Sequence, residues 1–278
     1  MFKINFSNVQ NLNVKNICIN YQDKIIKKNK FSHFLRCIKL IKNEISLFLI
    51  KDKTSLQSDL RKKEYDDFWS RFNKINFYEK PYTWHEYKKN YFLSPVALTQ
   101  DIFQSLILEE IRHKKPKKIL EVGCGIGLNL FYFAKKFPKI EFVGIDISPR
   151  GIEICKKENR FKNLNFIECN ALNLPFKSNE FEMTYSMLAL EQMNRIKSKV
   201  IDNIHNITSD YYIMIEPFKN VNNSFVNYIH HRNSDYFDYN YQNLTNHNFS
   251  IEKIYNDFPQ RLGLSASFVL LKKNNMFY

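Results

Sequence analysis

Residues 117–148 read KKILEVGCGIGLNLFYFAKKFPKIEFVGIDIS, and this stretch decides the fold. Ile119, Leu120 and Val122 form a short apolar run behind two lysines, the pattern of a parallel strand buried on both faces. Gly123, Gly125 and Gly127 follow, half of the chain's six glycines within five residues. A helical pattern begins at Leu128 and leads to Phe137, and the next apolar run, residues 141–148, contains Asp146 near its end. Strand, glycine turn, helix, strand and acid, in that order, make a βαβ unit with a ready site for an adenosine-containing ligand at the helix amino terminus. Glycines let the backbone pass such a ligand without a side chain in the way. A carboxylate at Asp146 can accept hydrogen bonds from both hydroxyls of a ribose. Ser148 followed by Pro149 is the start signal of a further helix.

The spacing discriminates among adenosine ligands. A dinucleotide fingerprint, G-x-G-x-x-G, requires glycine at 128, where this chain has Leu128; its third glycine is Gly127, and Glu121 stands two residues before the first. The pattern E-x-G-x-G-x-G followed by a strand-end acid resembles the class I S-adenosylmethionine-dependent methyltransferases. That resemblance implies a Rossmann-like α/β fold, a doubly wound, mostly parallel seven-stranded sheet, with S-adenosyl-L-methionine as cofactor. It also implies residue roles: Glu121 at the methionine moiety, Gly123, Gly125 and Gly127 beneath the cofactor, and Asp146, with Ile147 after it, at the ribose. Residues 164–181, LNFIECNALNLPFKSNEF, resemble the family stretch in which a strand ends in D-A-x-x-L-P-F, with Asn170 where the acid usually sits. By the same resemblance Asn170 reads the adenine amino group through its amide oxygen, the Ala171 backbone faces the ring, and Met187 joins the cofactor site. Strands are expected within 181–190, at 211–216, and in a closing antiparallel hairpin of 249–256 and 265–273. The resemblance covers roughly residues 95–273.

Two absences narrow the methyl acceptor. The N/D-P-P-Y/F motif of nucleobase amino-methylating relatives is replaced by Tyr185-Ser186-Met187-Leu188, and the loop there holds no cysteine nucleophile. Glu191-Gln192 occupies the place where relatives carry Glu-His. His230 and His231 lie in a Tyr- and Asn-rich insertion after the fifth strand, where they are read as bases or as an exposed pair on a helix. No catalytic residue is assigned, and the dispersed histidines give no metal cluster. The leading expectation is transfer of a methyl group to a small polar molecule. The alternatives are an RNA or protein methyltransferase docking through its basic amino-terminal segment, and a catalytically inactive cofactor-binding partner subunit.

The formal charge of +14 is concentrated in residues 1–63, where 14 Lys and Arg face 4 Asp and Glu. The remainder is close to neutral, which argues against a nucleic-acid partner for the catalytic half. Five cysteines without paired spacing point to a reducing, cytoplasmic setting. The charge and composition divide the chain into a basic extension (1–63), an aromatic-rich helical lead-in (64–118) and a cofactor-binding core (119–278). Within 31–50, Phe31, Phe34, Leu35, Ile38, Ile41, Ile45, Phe48 and Leu49 recur at spacings of three and four, as in an amphipathic helix. The first expectation is that this helix packs its apolar side on the core with its basic side in water. A weak contact of residues 31–50 with a membrane surface is the competing one. In the lead-in, one or two of Trp84, Tyr87 and Tyr91 are expected in a pocket wall, and Thr99 is expected to cap a helix over 98–114.

Overall fold

A computed structural model describes residues 22–50, 82–221, 227, 238–263 and 265–274. In chain order the elements are β1 (Ile26–Lys28), α1 (Lys30–Ile50), β2 (Tyr82–Tyr87), β3 (Asn90–Pro95), α2 (Ala97–Lys114), β4 (Lys118–Val122), α3 (Leu128–Lys136), β5 (Glu141–Asp146), α4 (Pro149–Glu158), β6 (Leu164–Glu168), β7 (Phe181–Met187), α5 (Lys197–Ile207), β8 (Thr208–Glu216), β9 (Phe249–Tyr255), β10 (Gln260–Arg261) and β11 (Ser267–Lys273). The His230–His231 pair falls outside the described residues.

Period-two alternation along the strands sends successive side chains to opposite faces of one sheet, and both faces are covered. Ile119, Phe142, Phe166, Met183, Tyr185, Ile213 and Phe268 pack with apolar residues of α2, α3 and α4. Their neighbours Leu120, Val122, Val143, Ile145, Tyr212, Met214 and Val269 pack with Val200, Ile201, Ile204 and Ile207 of α5. The sheet has seven strands in the order β6-β5-β4-β7-β8-β11-β9. β4 to β8 run parallel, and β11 runs antiparallel between β8 and β9. This is the doubly wound, mostly parallel architecture expected from the sequence. The winding reverses beside β4, so the carboxyl ends of β4, β5 and β7 open on the crevice where such sheets bind ligands.

The lead-in is not helical throughout. Residues 82–95 form the β2–β3 hairpin, and among the described residues of the lead-in only α2 is a helix. Lys88 and Lys89 make its two-residue turn with φ of 47° and 63°, the left-handed pair that Asn-Gly normally supplies. Two lysines give no such signal in the sequence. β1 pairs with β3 and β10 with β2, so a second, four-stranded sheet joins the chain's amino-terminal part to its last hairpin.

Thr99 is not a helix cap. Helix α2 starts at Ala97 without a side-chain cap, and the Thr99 hydroxyl instead meets Nε2 of the buried His85 at 2.8 Å. Ser94 Oγ meets the other ring nitrogen at 3.0 Å. Burial, with the charge of Arg261, holds His85 down at about 3, a neutral ring in a filled core position. The three aromatics offered for a pocket wall make packing contacts. Tyr91 stacks on His33 at 3.8 Å between centroids, Trp84 meets the same ring edge-on at 6.2 Å, and the buried Tyr87 belongs to the core beside the α2 face.

Helix α1 also departs from the first expectation. His33 faces the hairpin, while Phe31, Phe34, Leu35 and Ile38 are turned to solvent. The first two turns of the apolar stripe thus do not pack on the core, whereas Ile41 is half-buried and the side chains from 43 to 50 lie outside the described residues.

Candidate functional site

Gly123 N and Cys124 N both donate to the Ile145 carbonyl, at 2.8 and 2.9 Å, which ties the end of β4 to the end of β5. The chain then crosses the switch point through Gly123, Gly125 and Gly127, all at positive φ, and α3 begins. A Cβ at Gly123 would lie 2.4 Å from that of Ala189, in the loop after β7, so no other residue fits there without displacing that loop. Gly151 was not singled out by sequence, yet a Cβ on it would lie 2.9 Å from the Gly125 carbonyl. The first turn of α4 therefore presses directly on the glycine loop. Ser148 caps α4 as expected, its Oγ accepting from Gly151 N at 3.0 Å.

Asp146 sits between these parts. Its Oδ2 accepts from Gly125 N at 2.8 Å and its Oδ1 from Ser148 N at 2.9 Å. The carboxylate thus fixes both the glycine loop and the turn into α4. Ile147 follows it, half-buried. Cys169 N donates to the Asp146 carbonyl at 2.9 Å, bringing Asn170 and Ala171 to the same edge. The Asn170 amide oxygen already accepts from Leu172 N at 3.0 Å, and Asn203 holds the Ala171 carbonyl at 3.1 Å. The structure therefore gives Asn170 a turn-forming role, with one lone pair of its oxygen in use.

Glu121 is 1% exposed. Asn129 Nδ2 donates to its Oε1 at 2.6 Å, and Gln104 Nε2 donates to Asn129 Oδ1 at 3.0 Å, an oxygen that Gln100 also contacts. Met187 Sδ lies 3.9 Å from the same Asn129 amide. Glu121 Oε2 and the Tyr185 hydroxyl are both buried, and each finds only the other, in a contact looser than an ordinary hydrogen bond. Burial pushes the Glu121 carboxyl up to about 8, against the stabilising Asn129 bond. A buried carboxyl whose ionisation is disfavoured by burial, with no cation beside it among the described residues, is an environment that a ligand ammonium would complete. Gln100, Gln104 and Asn129 were missed in the sequence. Their one legible trace is a pair of glutamines four residues apart, on one face of α2.

Two further acids occupy the carboxyl ends. Glu216 ends β8 fully buried, its Oε1 accepting from Ala189 N and Leu190 N at 3.2 and 3.1 Å and its Oε2 from Glu191 N at 3.1 Å. It shapes the loop that touches Gly123. Glu191 is 7% exposed; Gln192 donates to its Oε1 at 3.0 Å, and its Oε2 is buried without a partner. Burial, then the charge of Glu216, pushes Glu191 up to about 8, and burial pushes Glu216 to about 7 against its amide donors. Leu188, just before this loop, adopts φ 52°, a strained value for a branched side chain. This loop therefore brings together a residue at positive φ and two buried acids at the carboxyl edge of the sheet.

Residues 119–210 match the family described as "Methyltransferase domain". Residues 119–210 thus carry a methyltransferase domain. Among solved structures, magnesium protoporphyrin IX methyltransferase from Synechocystis PCC 6803 with bound SAM aligns over 80% of this chain and 100% of that chain, at 11% identity and a TM-score of 0.56. A putative sarcosine dimethylglycine methyltransferase from Galdieria sulphuraria aligns over 77% of this chain and 100% of its own, at 12% identity and the same TM-score. Both establish the fold. In sequence, the chain is 34% identical over 73 residues to phthiotriol/phenolphthiotriol dimycocerosates methyltransferase of Mycobacterium leprae, covering 26% of this chain and 27% of that protein. It is 35% identical over 66 residues to fatty-acid O-methyltransferase of Mycolicibacterium smegmatis, covering 24% of each. The chain thus spans about a quarter of the length of these curated relatives.

Proposed function

We propose that this protein binds S-adenosyl-L-methionine at the carboxyl ends of β4, β5 and β7 and transfers its methyl group to a small polar molecule. The observation that carries the reading is the buried, half-satisfied Glu121 beside a glycine loop that Asp146 pins from below. The residues fit the cofactor: Glu121 would hold the ammonium of the methionine part, Asp146 with Ile147 the ribose, and Asn170 with Ala171 the adenine end, with Met187 alongside. When bound, the cofactor supplies an electrophilic methyl group, so the protein's work is to align the acceptor and exclude water. Glu191 is the group we assign to take a proton from an acceptor that must lose one, since it is buried and one oxygen is unpartnered; with its carboxyl pushed up to about 8, it does so in the ionised form that grows as pH rises toward that value.

A second reading of the acceptor, a lipid-like molecule, is favoured by the names of the two curated relatives and by the apolar stripe that α1 presents to solvent. Titration calorimetry with S-adenosylmethionine, S-adenosylhomocysteine and NAD tests the cofactor; binding of NAD alone would overturn it. Incubation with labelled cofactor and cell extract tests the acceptor. Label in water-soluble small molecules supports the first reading and label in the organic extract the second. Label in RNA or protein would move the function to macromolecular methylation, and none at all, with cofactor bound, to a partner subunit.

A further inference from the structure

We propose that α1 lays the protein on an anionic lipid surface, with Phe31, Phe34, Leu35 and Ile38 entering the interface and the surrounding lysines meeting the headgroups. These four side chains are 66, 58, 50 and 44% exposed. Their spacing puts them on one stripe of the helix, and Ile26 of the adjoining β1 adds another apolar side chain, 48% exposed. The opposite side carries His33 and Cys37, and His33 stacks on Tyr91 of the hairpin at 3.8 Å. The helix therefore holds the protein with its polar side and offers its apolar side outward, the reverse of an ordinary surface helix.

Charge identifies the occupant. Residues 22–42 contain Lys24, Lys27, Lys28, Lys30, Arg36, Lys39 and Lys42 against Asp23, seven cations and one acid. A second copy of this face would bring two basic surfaces together. A nucleic acid would account for the cations but would leave the phenylalanines in water. An anionic bilayer satisfies both, since basic residues meet acidic headgroups while aromatic and aliphatic side chains enter the acyl boundary. No helix among the described residues is long and apolar enough to cross a membrane, so the contact is one of lying on the surface. The proposal stands on α1 alone and does not depend on what the carboxyl edge of the sheet binds.

The test is co-sedimentation of the full chain with vesicles of phosphatidylcholine, with and without phosphatidylglycerol. Binding is expected to the mixed vesicles, to weaken as salt is raised, and to be slight on phosphatidylcholine alone. The double variant Phe34→Ser/Leu35→Ser should lower the apparent affinity about tenfold or more, with the thermal melt unchanged. Lys30→Glu/Lys39→Glu tests the charge separately and should cost about fivefold or more for each lysine. Equal binding to both vesicle types, binding to neither, or indifference to both variants would overturn the proposal. So would a clear loss of melting temperature in the serine variant, which would mean that the chain itself covers the stripe. A dimer dissociated by the same substitutions would assign the stripe to a second copy.

Discussion

The two ends of the parallel sheet treat glutamate in opposite ways. At the amino ends, Lys118 Nζ lies 3.0 Å from Glu141 and 3.0 Å from Glu180, and Glu182 accepts from Lys117 N at 2.6 Å, all near solvent. At the carboxyl ends, Glu121, Glu191 and Glu216 are buried, and none meets a cation at ion-pair distance among the described residues. Paired charges at a wet edge are cheap to keep and contribute little. Uncompensated buried carboxyls are costly, and a fold keeps several of them on one edge only where they have something to bind or protonate.

The largest expected effect breaks the carboxyl edge outright. Gly125 adopts φ 54°, donates its N–H to Asp146 and presses its carbonyl toward Gly151. Gly125→Val should weaken S-adenosylmethionine binding roughly a hundredfold or more, because a β-branched residue at that φ costs on the order of 1–3 kcal/mol and fills the ligand's path. Calorimetry together with a melting curve measures both parts, and normal binding would mean that the loop does not cradle the cofactor.

Asp146→Ala removes a group with two jobs. The bonds to Gly125 N and Ser148 N predict a lower melting temperature, and a ribose contact predicts in addition an affinity loss of roughly 2–4 kcal/mol. A lower melting point with affinity intact would leave Asp146 as a brace for the loop alone.

Glu121 sharpens the comparison through pH. If its carboxyl, at about 8 in the free protein, must ionise to hold an ammonium, binding releases a proton. Cofactor affinity should then rise as pH approaches about 8 from below, by at most about tenfold per pH unit. Glu121→Gln should flatten that rise and bind weakly throughout. An unchanged pH profile in the variant would place the ammonium elsewhere.

Glu191 gives a stability effect of known sign. Its folded pKa is raised from 4.5 to about 8, so between these values the folded state holds a proton that the unfolded chain has released. Its contribution is therefore present below pH 4.5 and lost as pH rises through about 8. Glu191→Gln should raise stability at alkaline pH on the order of 2 kcal/mol and change little in mild acid, read as melting temperature against pH. His85 slopes the other way: its pKa falls from 6.5 to about 3, so its share of stability is lost as pH drops through that range.

The smallest effect belongs to the amino edge. Glu180→Gln breaks one half-exposed ion pair with Lys118 and should cost less than about 1 kcal/mol, and less again in high salt. A loss comparable to that from a carboxyl-edge substitution would erase the distinction between the two ends.

The legible part of the site is the part built from near neighbours in the chain. β4, the three glycines, α3, β5 and Asp146 are contiguous, and each signals its role by residue type and spacing. The β2–β3 hairpin was hidden because Lys88-Lys89 turns the chain without the residues that usually announce such a turn. The Glu191–Glu216 pair was hidden because 25 residues separate its members, and only the parallel pairing of β7 with β8 brings them together.

The sequence by itself determined the βαβ unit of β4, α3 and β5, since its apolar runs, glycine turn and helix start are contiguous, and the doubly wound sheet around it followed from the family resemblance that this unit carries. It also determined that 31–50 has an apolar stripe, because periodicity is a property of one helix. Only the tertiary structure decided where that stripe points, because the direction depends on His33 finding Tyr91 across a hairpin some sixty residues away, about 58 by number. It alone decided which glutamates are dry as well. Burial is set by everything packed around a residue, and the same type of side chain is a salt-bridged surface acid at one end of the sheet and a buried acid, its ionisation disfavoured, at the other.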